Sequence, residues 1–241
     1  MRLFGSIYHL TPLLVLLVAG MIGGCDGTQP TMPGEQDDPL EGERINSFYT
    51  NEEISYLLDI ALWRDTVLQE PVITKWFAPV RIGIHGNPTE QDMQTLRTVV
   101  EELNGLAREI EIGLSEEKPN LEIYFVPRAA YSFVDPEYRF PAFGYTSWWP
   151  RDFVKTVSVL VATDSTTQDQ RNGWIYRGLA AGLGLTNSSD MYPESVFYSG
   201  WTPTPGFRYA PVDRAIIEIL YSSGIWPGMT RQAVVHTLTN R

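Results

Sequence analysis

The 241-residue chain has one cysteine, Cys25, and only three histidines, His9, His85 and His236. A single thiol cannot form an intrachain disulfide, and zinc sites built on cysteine pairs are excluded. Basic residues are also scarce, with 18 Lys+Arg against 29 Asp+Glu and a formal net charge of -11. A nucleic-acid partner held through its phosphates needs a basic face, so that class is excluded, and acidic substrates are disfavoured. Neither a Gly-x-Ser-x-Gly elbow, a phosphate-binding glycine loop nor an EF-hand loop occurs, and there is no internal repeat. What is present is an ordinary globular composition, 43% hydrophobic, 12% aromatic and 20% charged. Its length suits one domain or two small ones.

The N-terminus reads as a processing signal. Arg2 precedes the apolar run Leu13 to Gly24, which ends at Cys25. Ile22-Gly23-Gly24-Cys25 resembles the bacterial lipobox, which implies cleavage before Cys25 and a lipid on its sulfur. The alternative is an uncleaved transmembrane anchor over Leu3 to Gly24, which Pro12 and the glycines of this stretch weaken. Either reading exports the body, because the only fixed charge ahead of the run is basic and acidic sequence follows. The localisation expected is the periplasmic, extracytoplasmic face. Asp26, next to the anchor, resembles an inner-membrane retention signal. Residues 25–44 carry prolines, glycines and the acids Asp26, Glu35, Asp37, Asp38, Glu41 and Glu43, and read as an acidic flexible tether. The expected division is a signal over 1–24, a tether over 25–44 and a single domain over 45–241.

Within the body, Thr50-Asn51-Glu52-Glu53 fits a capping box ahead of a helix that buries Ile54, Leu57, Leu58 and Ala61. The run from Ile73 to Gly86 alternates and reads as one strand. Asn87-Pro88-Thr89-Glu90 then offers a cap with proline at the first helical position. Met93, Leu96, Val99, Val100, Leu103 and Leu106 follow at helical spacing. Glu109 to Leu114, Leu121 to Val126 and Lys155 to Ala162 read as strands, the last of them edge-like. The Pro- and Gly-rich aromatic stretch from Tyr131 to Trp149 reads as irregular. Helices are expected over Gln168 to Gly182, over Pro211 to Ser223 and from Thr230. This order is α+β: a mixed twisted sheet carrying a long helix and a second helix, then a mainly helical C-terminal part.

That second helix runs Arg177-Gly178-Leu179-Ala180-Ala181-Gly182-Leu183-Gly184-Leu185-Thr186-Asn187. It resembles the metzincin signature H-E-x-x-H-x-x-G-x-x-H in register, with Gly184 on the motif glycine. Ser195-Val196-Phe197 stands where metzincins place their Met-turn, and Asp213 to Tyr221 resembles the helix that follows it. The resemblance implies a zincin-like fold. More closely, Val72 to the C-terminus resembles a bacterial domain family of unknown function found in lipoproteins and secreted proteins. Lys75-Trp76, Leu179, Leu183 to Leu185, Asn187, Ser195, Phe197, Leu220-Tyr221 and Gly228-Met229 carry that likeness. Arg177, Ala181 and Asn187 occupy the positions of the zinc histidines, and Gly178 that of the general base. Arginine cannot ligate zinc, and alanine and glycine offer no side-chain donor. Taken alone, Leu-Gly-Leu also fits a plain helix C-cap followed by core.

After export only His85 and His236 remain, too few for a three-histidine site. The reading is a degenerate zinc motif without metal or cofactor, in a membrane-tethered binding or scaffolding lipoprotein. It acts as an accessory subunit of a membrane protein complex, with membrane contact through Cys25 and an unidentified protein partner. Tyr145, Trp148, Trp149, Phe197 and Trp201 are candidate anchors of a binding cleft, the alternative being that these rings pack the core. Arg177 needs a partner when packed, and Glu194 and Asp190 are the candidates. The competing function is a hydrolase with a divalent ion on Asp190, Glu194 and Asp213. The lipid anchor has a direct test: labelled palmitate is incorporated by the wild-type chain and not by Cys25→Ser, and labelling of both would contradict it.

Overall fold

A computed structural model describes residues 49–64, 70–134, 143–148, 154 and 156–240, all within the compact unit Gly42–Arg241. The other unit, Met1–Glu41, with the signal, Cys25 and most of the tether, lies outside the described residues, as do Trp149 and Phe153.

The architecture is mixed α/β. Thr50 caps helix α1 (Asn51–Ala61), its side chain accepting from the Glu53 N–H while the Glu53 carboxylate accepts from the Thr50 N–H. Strands β1 (Leu62–Arg64) and β2 (Pro71–Ile73) form a small antiparallel ribbon. The main sheet holds β3 (Val80–Gly86), β4 (Ile112–Leu114), β5 (Leu121–Val126), β6 (Phe143–Trp148) and β7 (Thr156–Ala162) in the order β4-β3-β5-β7-β6. All neighbours are parallel except β6, which runs antiparallel to β7. Helix α2 (Glu90–Leu106) connects β3 to β4, and the short α3 (Tyr131–Val134) follows β5. Helix α4 (Gln168–Gly182) follows β7, and α5 (Pro211–Leu220) and α6 (Arg231–Thr239) complete the chain.

Strand periodicity decides which face is covered. Leu121, Ile123 and Phe125 of β5 are buried while Glu122, Tyr124 and Val126 between them are partly open, the period-two alternation of a half-covered sheet. Val80 and Ile82 of β3 and Val157, Val159 and Val161 of β7 extend the buried face, which shares one core with α2 and α4. Asp92 sets how these two helices meet. Its fully buried carboxylate accepts from the Thr89 N–H (2.8 Å), closing the cap of α2. It also accepts from Gln168 Nε2 (2.6 Å) and Arg171 Nε (3.1 Å) on α4.

Several expectations are corrected. The run from Ile73 to Gly86 is not one strand: β2 stops at Ile73 and β3 starts at Val80. Between them Lys75 and Trp76 turn inward and Pro79, which has no N–H, breaks the ladder. Thr89, not Asn87, caps α2, so Pro88 precedes the helix. The strand expected from Glu109 begins at Ile112. The stretch from Tyr131 to Trp149 contains β6, and among the described residues β6 rather than β7 stands at that edge of the sheet, paired to β7 along its length.

Because Asp92 and Arg171 are buried together, removing one partner leaves the other charge uncompensated. Asp92→Ala is expected to cost about 3 kcal/mol in urea unfolding, and a loss within the range of neutral surface substitutions would contradict this role.

Candidate functional site

The site expected from the sequence lies at α4 and the loop that follows it. The helix ends in a left-handed turn. Gly184 has φ +110°, its N–H donates to Ala181 O (3.0 Å), and the Leu185 N–H reaches Ala180 O (3.4 Å). This is a Schellman closure. A Cβ at Gly184 would lie 2.1 Å from Thr74 O, so glycine is demanded by close approach as well as by φ. The remaining carbonyls of the turn are claimed from other elements: Trp76 Nε1 donates to Gly182 O (2.7 Å) and Tyr221 OH to Leu183 O (2.7 Å). Lys75, beside Trp76, donates to Leu220 O (2.8 Å) and Ile225 O (3.0 Å) and stands 3.5 Å from Glu109. Burial lowers the Lys75 pKa, partly offset by Glu109. The Gly228 N–H donates to Ile73 O (2.8 Å) and Met229 O accepts from the Ile73 N–H (2.9 Å). Lys-Trp, Leu-Gly-Leu, Leu-Tyr and Gly-Met, scattered in sequence, thus meet in one structural knot.

The positions that the sequence aligns with a zinc motif have separate fates. Gly178 and Ala181 are buried and carry no donor. Asn187 is consumed by the end of α1: its Nδ2 donates to Asp59 O (3.0 Å) and Leu62 O (2.8 Å), and its N–H to Ile60 O (3.0 Å). Arg177 donates to Val196 O (2.5 Å) and Ser188 Oγ (2.8 Å), with its guanidinium carbon 5.8 Å from the Trp201 ring centre. Burial draws its pKa below the usual value, against the weaker pull of Tyr56 and Asp213. The expected partners are not used: among the described residues no ion pair includes Arg177, and both Asp190 and Glu194 are exposed.

Below this helix the loop is pinned by Asp213, the third residue of α5. Its carboxylate accepts from Ser195 Oγ (2.5 Å), the Val196 N–H (3.1 Å) and the Ala210 N–H (2.9 Å). Tyr56 OH donates to Ser195 Oγ (2.6 Å), which ties α1 to the same point. Burial raises the Asp213 pKa despite these hydrogen bonds, and burial also pushes the Tyr56 hydroxyl well up. Asp213 therefore faces inward with its acceptors filled, apart from Asp190 and Glu194. Among the described residues no group of three or more His, Cys, Asp and Glu is placed to hold a metal ion. Tyr56 was missed in the sequence, since it falls outside the apolar set Ile54, Leu57, Leu58 and Ala61 that marks the helix, yet it is buried.

The candidate anchors divide. Phe197 is 1% exposed and belongs to the core, so it offers nothing to a ligand. Trp201 is half-buried in an edge-to-face chain with Trp174 (5.3 Å) and Phe207 (5.1 Å), while Tyr176 meets Phe207 (5.4 Å) and Tyr209 (4.9 Å). Loop aromatics thus seal the loop onto α4. Tyr145 and Trp148 lie on β6, in register with Val159 and Thr156, and Trp149 is outside the described residues. Among the described residues β6 pairs with β7 alone, and α4 packs beside both strands. No helix of the described residues is long and apolar enough to cross a membrane.

Residues 52–240 match the model of a family described as protein of unknown function (DUF2927). No curated protein matches the chain. Two solved structures of myroilysin are similar at TM-scores of 0.38 and 0.41, with 14% and 13% identity. They cover 62% and 61% of this chain and 82% and 85% of their own.

The Asp213 shift has a signed consequence. The folded state holds this proton more tightly than the unfolded chain, so Asp213 adds stability as pH falls from neutrality through its folded pKa towards 3.8, and that increment is absent when it is ionised. Asp213→Asn keeps the shape without the titration. Urea unfolding is expected to show a larger penalty for this variant at pH 4 than at pH 7, and the reverse order would contradict the assignment.

Proposed function

The chain belongs to the DUF2927 family of unknown function, and we propose that it is a zincin-like domain without metallopeptidase chemistry, tethered by lipid on the extracytoplasmic face and acting in protein binding or scaffolding. The observation that carries this reading is the state of the four motif positions. Two have no side-chain donor, one is an always-charged arginine held by Val196 and Ser188, and one is an amide spent on α1. A hydrolytic zinc site needs three protein ligands and a positioned base. Arg177, Gly178 and Ala181 supply neither a ligand nor a base, and the amide oxygen of Asn187 alone cannot make a three-ligand site.

Binding is favoured over a purely structural role by the edge strand. Among the described residues β6 pairs on one side only, and such an edge offers backbone groups to an extended segment of a partner; β6 also lies beside α4. The acidic composition points to a protein segment rather than a nucleic acid. The lipid tether supports an accessory subunit of a membrane complex, held near its partner at raised effective concentration. A hydrolase built on Asp190, Glu194 and Asp213 is not favoured, since Asp213 already accepts three hydrogen bonds in the interior.

The full chain, purified from solubilised membranes, is expected to bring down a protein partner in stoichiometric amount and to cleave no peptide in a chelator-sensitive manner. Chelator-sensitive peptidase activity, lost when Arg177 is left intact and metal is removed, would overturn the proposal.

A further inference from the structure

The body handles buried cations consistently, with one exception. Lys75, almost fully buried, has Glu109 at 3.5 Å, and Arg171, only 12% exposed, has Asp92 at 3.1 Å. Arg177 is as costly to desolvate in kind, yet its hydrogen bonds go to neutral acceptors, the Val196 carbonyl and the Ser188 hydroxyl. Asp213 pulls on Arg177 through space but makes no hydrogen bond to it, its own bonds coming from Ser195, Val196 and Ala210. A guanidinium has five N–H donors, and these two bonds leave donors over. It is partly open to solvent, and Ser188 beside it is exposed.

We infer that Arg177, with the Ser188 hydroxyl and the Trp201 face, is a docking point for a carboxylate of a bound peptide segment. The inference rests on the reading above that this body binds a protein. A carboxylate fits the fork of a guanidinium in two parallel hydrogen bonds, and in a partly desolvated place such a pair is stronger than at an open surface. Ser188, which accepts from Arg177, still has its own hydroxyl hydrogen to donate to the same ligand. Trp201 is fixed by Trp174 and Phe207, so the ring flanking the cation is already ordered before binding. The negative net charge of the chain disfavours acidic ligands as a class, so the ligand is limited to a single carboxylate, which one guanidinium neutralises, whereas a dianionic phosphate brings surplus charge.

The test uses the detergent-purified full chain and two random nonapeptide pools as probes. One pool has free C-termini and acidic side chains, and the other is amidated and lacks Asp and Glu. Wild-type protein is expected to retain the first pool and not the second. Arg177→Gln, whose amide can still reach Val196 and Ser188, is expected to lose at least about tenfold in retention. Arg177→Lys, which keeps the charge without the fork, falls between them and serves if the Gln variant does not fold. Sequencing the retained peptides separates a terminal carboxylate from a side-chain one. Equal retention of both pools, unaffected by either variant, would overturn the role of Arg177 while leaving peptide binding intact. Retention of neither pool would overturn both.

Discussion

The left-handed turn at Gly184 is the constraint on which the body depends. It lets α4 end within contact of the Thr74 carbonyl and exposes the carbonyls of Gly182 and Leu183 to Trp76 and Tyr221. Three distant segments are thereby fixed to one helix end: the approach to β3, the end of α5, and the loop continuing to Asn187. That loop then ties back to α1 through the Asn187 amide. A side chain at position 184 would break several of these links together, because both its φ and its space exclude a Cβ.

A second fixed point, Asp213, explains how the loop below α4 holds its shape. A carboxylate accepting two backbone N–H groups and a serine hydroxyl does the work of a ligand set in organising Ser195 to Phe197. Tyr56 and the aromatic chain from Trp174 to Tyr209 close the remaining sides. Arg177 is the part that packing does not account for, since among the described residues it makes no direct ion pair and feels Asp213 only at a distance.

Much of the fold was legible because its signals are local. Thr50 and Glu53 announce α1, the spacing from Met93 to Leu106 announces α2, and Lys155 to Ala162 is β-branched enough to mark β7. The run from Ile73 failed because period two counts hydrophobic residues without knowing that Lys75 and Trp76 serve another element. β6 was hidden because an edge strand owes its existence to its neighbour, and Phe143 to Trp148 has no pattern of its own. At the site, the chemical character of Arg177, Gly178, Ala181 and Asn187 was readable residue by residue. The partners of Arg177 were not: a backbone carbonyl and a serine 11 residues away carry no sequence signature, whereas acids invite a pairing that the fold does not make.

The geometry of Gly184, Asp213 and Asn187 is that of a framework held by hydrogen bonds. Central to the proposed function is that α4 and its loop have no zinc chemistry, and elemental analysis tests this most directly. After incubation of the purified full chain with zinc and removal of free metal, the account predicts far less than one zinc per chain, unchanged in Arg177→Gln. One tightly held zinc per chain would contradict it.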